Sequence, residues 1–143
     1  MAFVAPPVVK QSERLLLAIE RAVMKFGRFH KYSFGTTLRD EARLVAKLSH
    51  RVWRDREHQA ERVGELVWAI DDLKLSLQLG CQMRAFPSFA AFEELARLAA
   101  EIGRQVGGLH RKQHPKGQNG HRISGGQRVQ ILSSQAASSE AKS

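Results

Sequence analysis

Five cations recur at intervals of three or four residues near the middle of the sequence: Arg39, Arg43, Lys47, Arg51 and Arg54. This spacing places their side chains on one face of an α-helix, with His50 beside them and Asp40 as the only acid. Like charges four residues apart destabilise a helix by roughly 0.2–0.5 kcal/mol per pair. A helix that accepts this cost gains from an external polyanion, so the face predicts contacts to nucleic-acid phosphates. The alternative is a solvated face that pairs with acids of neighbouring subunits.

Two weaker candidates for phosphate contacts, His30 and Lys31, lie in a segment that we predict to be a loop, residues 28–35. The aromatic residues of this loop are Phe29, Tyr32 and Phe34. Aromatic rings bury large apolar surfaces, and we expect these three to cover one end of a helical core.

Side chains suited to catalysis or metal binding are scattered through the sequence. His110 and His114 have the helical spacing of two metal ligands, but no nearby carboxylate or cysteine completes a site. Asp71 and Asp72 are adjacent, point in different directions and make a poor acid/base pair. No Gly-Lys-Ser/Thr phosphate loop occurs. We therefore predict a protein that is not an enzyme and that uses neither a cofactor nor a metal.

The charge balance supports a polyanionic partner. The 143 residues include 23 Lys and Arg against 14 Asp and Glu, a formal net charge of +9, and 43% are hydrophobic, enough for a folded core. Cys81 is the only cysteine, so no intramolecular disulfide can form, which suits a reducing cytoplasm. No segment approaches the roughly 20 apolar residues of a membrane helix, and we expect a cytoplasmic protein without a membrane partner.

Apolar residues spaced three and four apart predict the helices that must position these side chains. The predicted helices span about residues 12–26, 36–54, 59–84 and 89 to between 107 and 112. Ser12 and Ser88 can cap the free N–H groups at the starts of the first and last helices.

The break between the second and third helices carries no glycine or proline. From Arg54 to Arg62 there is no large apolar residue. One continuous helix would bury Asp55, Gln59 and Arg62 on its apolar face, at a cost on the order of several kcal/mol if they were unpaired. We therefore predict a break at residues 55–58.

Amphipathic helices with short connections bury their apolar faces best as an all-α, antiparallel up-down four-helix bundle. We assign the bundle to residues 12–112 and an N-terminal extension to residues 1–11. Residues 113–143 are rich in glycine, serine and glutamine, which predicts a flexible, basic C-terminal tail.

A second apolar stripe lies on the third helix, where Trp68, Leu75 and Leu79 fall roughly opposite the core residues Ile70 and Leu77. A tryptophan and two leucines on an outer face predict a subunit or partner interface, because tryptophan is a favoured anchor there. The alternative is that these three residues lie at the edge of the core, which would follow if the helical phase differs from the one assumed.

Two segments carry a family resemblance: HKYSFG at residues 30–35, followed by Leu38 and Arg39, and EIGRQVGGL at residues 101–109. Together with the helix lengths between them, they resemble a four-helix-bundle family over about residues 12–112. That family includes the accessory variability determinant (Avd) of diversity-generating retroelements. It also includes proteins encoded in intervening sequences of bacterial large-subunit ribosomal RNA genes. The family often has tryptophan after the paired glycines, where this chain has Leu109.

The resemblance to Avd implies a homopentamer with a basic surface that binds a reverse transcriptase and its template RNA, and possibly cDNA, to support mutagenic reverse transcription. The motifs do not separate the two branches of the family. A ribosomal-RNA-associated protein without a polymerase partner is therefore the first alternative. The second is a helical scaffold that binds only proteins.

Overall fold

A computed structural model describes residues 5–113, and within them every regular element is a helix, which confirms the all-α prediction. The helices are α1 (Pro7–Met24), α2 (Arg28–Lys31), α3 (Phe34–Arg54), α4 (Gln59–Gln82) and α5 (Phe89–Gln113). The chain divides into two compact units, residues 1–110 and 111–143. Only the end of α5 is described in the second unit, and the predicted tail beyond Gln113 lies outside the described residues.

The helix α3 packs against α1 on one side and against α4 on the other. Contacts join the start of α1 to the end of α3, where the Ser12 and Ser49 hydroxyls hydrogen-bond at 2.7 Å. They also join the end of α1 to the start of α3, where a methyl group on Gly35 would lie 2.7 Å from Val23 Cγ1. The two helices are therefore antiparallel, and the short connection from α3 makes α4 antiparallel in turn.

The helix α5 closes the bundle between α1 and α4. Gln11 donates to Glu101 Oε1 at 2.8 Å, and Gln105 donates to Gln11 Oε1 at 2.6 Å. On its other side, Gly103 gives room to the Lys74 side chain of α4, whose Nζ would lie 2.6 Å from a methyl group at that position. The four long helices form the predicted up-down bundle, in which α1 and α4 occupy diagonally opposite corners.

Aliphatic side chains from all four long helices fill the core. The most deeply buried large ones are Leu15, Ile19, Leu38, Leu66, Ile70, Leu73, Leu77 and Ile102. Burying one such side chain fully contributes about 1.5–3 kcal/mol. None of the helices in residues 5–113 combines the length and the apolar character that crossing a membrane requires.

The start of α1 differs from the prediction. The helix begins at Pro7 rather than at Ser12, because Val8 and Val9 extend the buried apolar face upstream. Proline is favourable in the first helical turn, where a backbone N–H would have no intrahelical acceptor. Ser12 is not a cap: its buried hydroxyl donates to Val9 O at 2.8 Å and contacts Ser49.

The predicted loop at residues 28–35 contains the short helix α2 and the first residues of α3. Phe34 packs inward as expected, stacked on Phe26 with ring centroids 6.2 Å apart. Phe26 also meets Phe86 edge-on at 5.2 Å. A methyl group at Gly80 would lie 2.6 Å from the Phe34 ring, so this glycine in α4 is the opening that admits the ring.

The expectation that all three loop rings cover the core is wrong for two of them. Phe29 is 85% exposed and Tyr32 is 74% exposed. Phe34 alone shares the helical phase of the buried Leu38, four residues later on α3. The α2 turn directs the other two rings to solvent.

The break between α3 and α4 falls at residues 55–58, as predicted. The Asp55 carboxylate accepts from His58 N–H at 3.3 Å and from Arg62 Nε at 3.1 Å, and Gln59 Nε2 donates to Val52 O at 2.8 Å. Burial alone would raise the pKa of Asp55, but the hydrogen bonds from Arg62 and His58 outweigh it and hold this pKa below its ordinary value. The polar residues that could not be buried unpaired are thus paired in the turn.

The helix α4 ends in a left-handed residue, Arg84, with φ 59°. Ala85 N–H donates to Gly80 O at 2.9 Å, and Arg84 N–H donates to Cys81 O at 3.1 Å. These two bonds form a Schellman motif, in which glycine is the usual residue at the left-handed position. An arginine there costs roughly 1–2 kcal/mol relative to a right-handed conformation.

The helix α5 begins where the sequence predicts. Ser88 Oγ accepts the backbone N–H three residues later at 3.1 Å, which confirms it as the cap. Its far end extends slightly beyond the predicted range, because α5 continues through Gly107 and Gly108 to Gln113.

Candidate nucleic-acid interface

The predicted basic face of α3 is divided by its contacts with α1. Arg39 Nε lies 2.9 Å from Glu20 Oε2, and Arg43 Nη2 lies 3.2 Å from Glu20 Oε1. Arg39 Nε has no hydrogen-bond partner in the described residues, so this contact is an ion pair and not an aligned hydrogen bond. Arg43 also contacts Asp40 at 3.2 Å, and His50 contacts Glu13 at 3.0 Å. The N-terminal part of the basic face, at Arg39 and Arg43, and the edge beside α1, at His50, are therefore partly neutralised within the subunit.

Three of the five predicted phosphate-binding residues form no such pair. Lys47, Arg51 and Arg54, which we call the outer basic cluster, are exposed, and none contacts a carboxylate within residues 5–113. Their spacing of four and three residues places them on one side of α3. The structure thus keeps all five candidates on one helix but leaves these three available to an external anion.

A second group of cations on α1 was missed by the sequence reasoning. Lys10, Arg14 and Arg21 are exposed on the side of α1 away from the core, and they form no ion pair with any described residue. Their spacing of four and seven residues already places them on one helical face, but Glu13 and Glu20 give the sequence of α1 both signs of charge. In the structure both acids turn toward α3, which leaves the outer side of α1 basic.

His30 and Lys31 lie on α2, apart from the outer basic cluster. The His30 ring meets Phe29 edge-on with centroids 5.0 Å apart, and Lys31 Nζ lies 6.0 Å from the centroid of the Tyr32 ring. The structure therefore brings these weaker candidates together with the two exposed rings at one end of the bundle.

The predicted apolar stripe on α4 does face outward: Trp68 is 58% exposed, Leu75 52% and Leu79 44%. The alternative that these residues form a core edge is therefore not supported. Leu44 of α3 is also exposed. Carboxylates outnumber cations on α4, where the acids are Glu61, Glu65, Asp71 and Asp72 and the cations are Arg62 and Lys74. This surface has the composition of a protein contact and not of a phosphate-binding site.

Glu41 lies half-buried where α3 meets α4, and its carboxylate accepts a hydrogen bond from Ser76 Oγ at 2.5 Å. Burial raises the pKa of Glu41 above its ordinary value, the Ser76 hydrogen bond opposes this, and the nearby Asp72 adds to the increase. Within residues 5–113, no three His, Cys, Asp or Glu side chains are grouped so as to hold a metal ion. Glu41 therefore holds two helices together without belonging to a cluster of possible ligands.

The bundle presents two surfaces of different chemistry. One is the basic surface of α1 and α3, and the other is the apolar stripe on α4, which lies diagonally opposite α1 and next to α3. Comparison of the chain with protein-family models, with curated proteins and with solved structures finds no match in any of the three.

Proposed function

We propose that this chain is a non-catalytic accessory protein of the Avd type, which binds nucleic acid through α1 and α3 and assembles with further copies of itself through the α4 stripe. The observation that carries the proposal is that one bundle presents exposed cations on α1 and α3, without an ion pair to any described residue, and exposed apolar residues on α4. The motifs at residues 30–35 and 101–109 supply the resemblance to Avd.

The outer basic cluster suits a flexible chain of phosphates. An α-helix rises about 1.5 Å per residue, so Lys47 and Arg54 are separated by about 10 Å along α3 and can contact different phosphates. Each phosphate that a cation neutralises releases bound counterions, so binding should weaken as salt increases. Lys10, Arg14 and Arg21 widen the basic surface onto α1. Such contacts position a polyanion without reading its sequence.

The protein partner in this proposal is a reverse transcriptase, and its nucleic acid is the template RNA, with cDNA as a further ligand. We assign the apolar stripe on α4 to contacts between subunits of a homo-oligomer, which the resemblance makes a pentamer. The setting is the cytoplasm, where Cys81 stays reduced; its thiol is half-buried and free in the structure.

Co-purification tests this proposal directly. The tagged full-length chain would be expressed with a candidate reverse transcriptase and with that enzyme's template RNA, and the mass of the eluted complex would be measured. The proposal predicts a complex of several copies of this chain with one polymerase, and the loss of the RNA on washing at high salt. A chain that binds RNA but no polymerase would instead favour the ribosomal-RNA branch. Binding to protein without RNA would favour the scaffold.

A further inference from the structure

One end of the bundle has an excess of positive charge. It is built by the α1–α3 connection and the α4–α5 connection, which the Phe26–Phe86 contact brings together. Neither residues 21–39 nor residues 73–92 contain an Asp or Glu. The cations of this end are Lys25, Arg28, Lys31 and Arg84, and none forms an ion pair with a described residue. The nearest acids on α5 are Glu93 and Glu94, and the excess of cations over the two connections attracts polyanions.

Aromatic rings project from the same end. Phe29 and Tyr32 are 85% and 74% exposed, and Phe89 is 64% exposed. Leaving one large ring in water forfeits about 1.5–3 kcal/mol of possible burial, so a group of exposed rings indicates a binding surface. We call this group of rings and cations the aromatic end.

The backbone that carries Phe29 and Tyr32 is held in place. The N–H groups of His30 and Lys31 both donate to Gly27 O at 3.0 Å. Ser33 Oγ donates to Phe29 O at 2.9 Å, which ties α2 to the start of α3. The two rings are three residues apart on one helical turn, so they project on the same side. The hydrogen bonds of this turn therefore fix the backbone from which both rings project.

Arg84 adds an independent observation. It occupies the left-handed position at the end of α4, where glycine would avoid the strain. The backbone conformation at this position would favour glycine over arginine. The positive charge of Arg84 at the aromatic end gives a reason for this residue, because its guanidinium can pair with phosphate or stack on a base.

We infer that the aromatic end binds single-stranded RNA, with unpaired bases stacked on Phe29 and Tyr32 and the flanking phosphates held by Arg28, Lys31 and Arg84. Bases in a duplex are covered by their neighbours, whereas the faces of unpaired bases are open to aromatic side chains. This inference rests on the proposed function and deepens it. The surface on α1 and α3 would hold any phosphate chain, and the aromatic end would select unpaired segments.

Fluorescence anisotropy with a labelled single-stranded RNA of about 12 nucleotides, and with a duplex of the same sequence, separates the two surfaces. The variant F29L/Y32L removes both rings but keeps apolar side chains, and F29Y/Y32F keeps both rings as a matched control. We expect F29L/Y32L to bind the single strand about 10- to 100-fold more weakly. We expect it to bind the duplex as the wild type does, and F29Y/Y32F to bind both RNAs as the wild type does.

The inference is overturned if F29L/Y32L binds the single strand as tightly as the wild type. It is also overturned if the affinities of this variant for the single strand and for the duplex fall equally. A third contradicting result would be that binding of a labelled Glu-rich peptide requires the two rings and binding of RNA does not. Failure of the proposed function looks different, because the wild type would then bind neither RNA even at low salt. Both rings are largely exposed, and a thermal melt followed by circular dichroism would check that each variant folds.

Discussion

The Glu20 carboxylate of α1 lies 2.9 Å from the Arg39 guanidinium of α3, and its second oxygen reaches Arg43. This one acid thus forms ion pairs with two of the five cations on the basic face of α3. The charge that the face offers to a ligand depends on this pairing as much as on the number of arginines.

Neutralising this acid should expose the two arginines. In Glu20→Gln, we expect RNA affinity to rise about two- to fivefold, because Arg39 and Arg43 become available to phosphate. The cost to the free energy of unfolding should stay below about 1 kcal/mol, since the ion pairs are partly exposed. Anisotropy titrations and urea unfolding measure the two effects. Glu13→Gln is the control of equal charge that leaves both arginines paired, and a similar gain in that variant would contradict the explanation.

Relieving the backbone strain at Arg84 should stabilise the fold while weakening the aromatic end. In Arg84→Gly, the free energy of unfolding should increase by about 1 kcal/mol, because glycine adopts a left-handed conformation without steric cost. Arg84→Ala removes the same charge and keeps the strain. Urea unfolding should therefore separate the two variants, whereas both should bind single-stranded RNA less tightly than the wild type. Equal stabilities for the glycine and alanine variants would show that the conformation is not strained.

The pH dependence of stability should change in Glu41→Gln. The pKa of Glu41 is raised in the folded chain, so the folded state binds this proton more tightly than the unfolded state. Its contribution to stability therefore falls as pH rises from about 4.5 through the raised pKa. Glutamine avoids this loss and still accepts a hydrogen bond from Ser76.

Thermal melts between about pH 4 and pH 8 would measure the effect. The melting temperature of Glu41→Gln should exceed that of the wild type at neutral pH, and the difference should shrink as the pH approaches 4. A constant difference across this range would mean that protonation of Glu41 is not responsible.

Charge placed on the apolar stripe should break the assembly without unfolding the subunit. In L75E/L79E, we expect the mass in solution to fall to that of the 16.1 kDa chain, because carboxylates cannot be buried unpaired in an apolar contact. Leu17→Glu, at an equally exposed position on α1, should leave the wild-type mass unchanged. Light scattering after gel filtration makes the measurement, and an unaltered mass for L75E/L79E would place the interface elsewhere.

Features that depend on one helix were predictable from the sequence. The break at residues 55–58 followed from the lapse of the apolar stripe, and the outward placement of Trp68 followed from helical phase. Features that depend on contacts between helices were not. The pairing of Glu20 with Arg39 requires the register of α1 against α3, which no local pattern contains. The exposure of Phe29 likewise depends on α2 forming a helical turn where a loop was expected.

The salt dependence of RNA binding tests the central claim, that the outer basic cluster contacts phosphate. The variant K47Q/R51Q would be compared with R97Q/R104Q, which removes the same charge from exposed positions on α5. If the claim is correct, the slope of log affinity against log salt becomes shallower by about 1.4–1.8 in K47Q/R51Q and stays at the wild-type value in R97Q/R104Q. Equal slopes in the two variants would contradict it, because the affinity would then follow net charge and not the surface of α3.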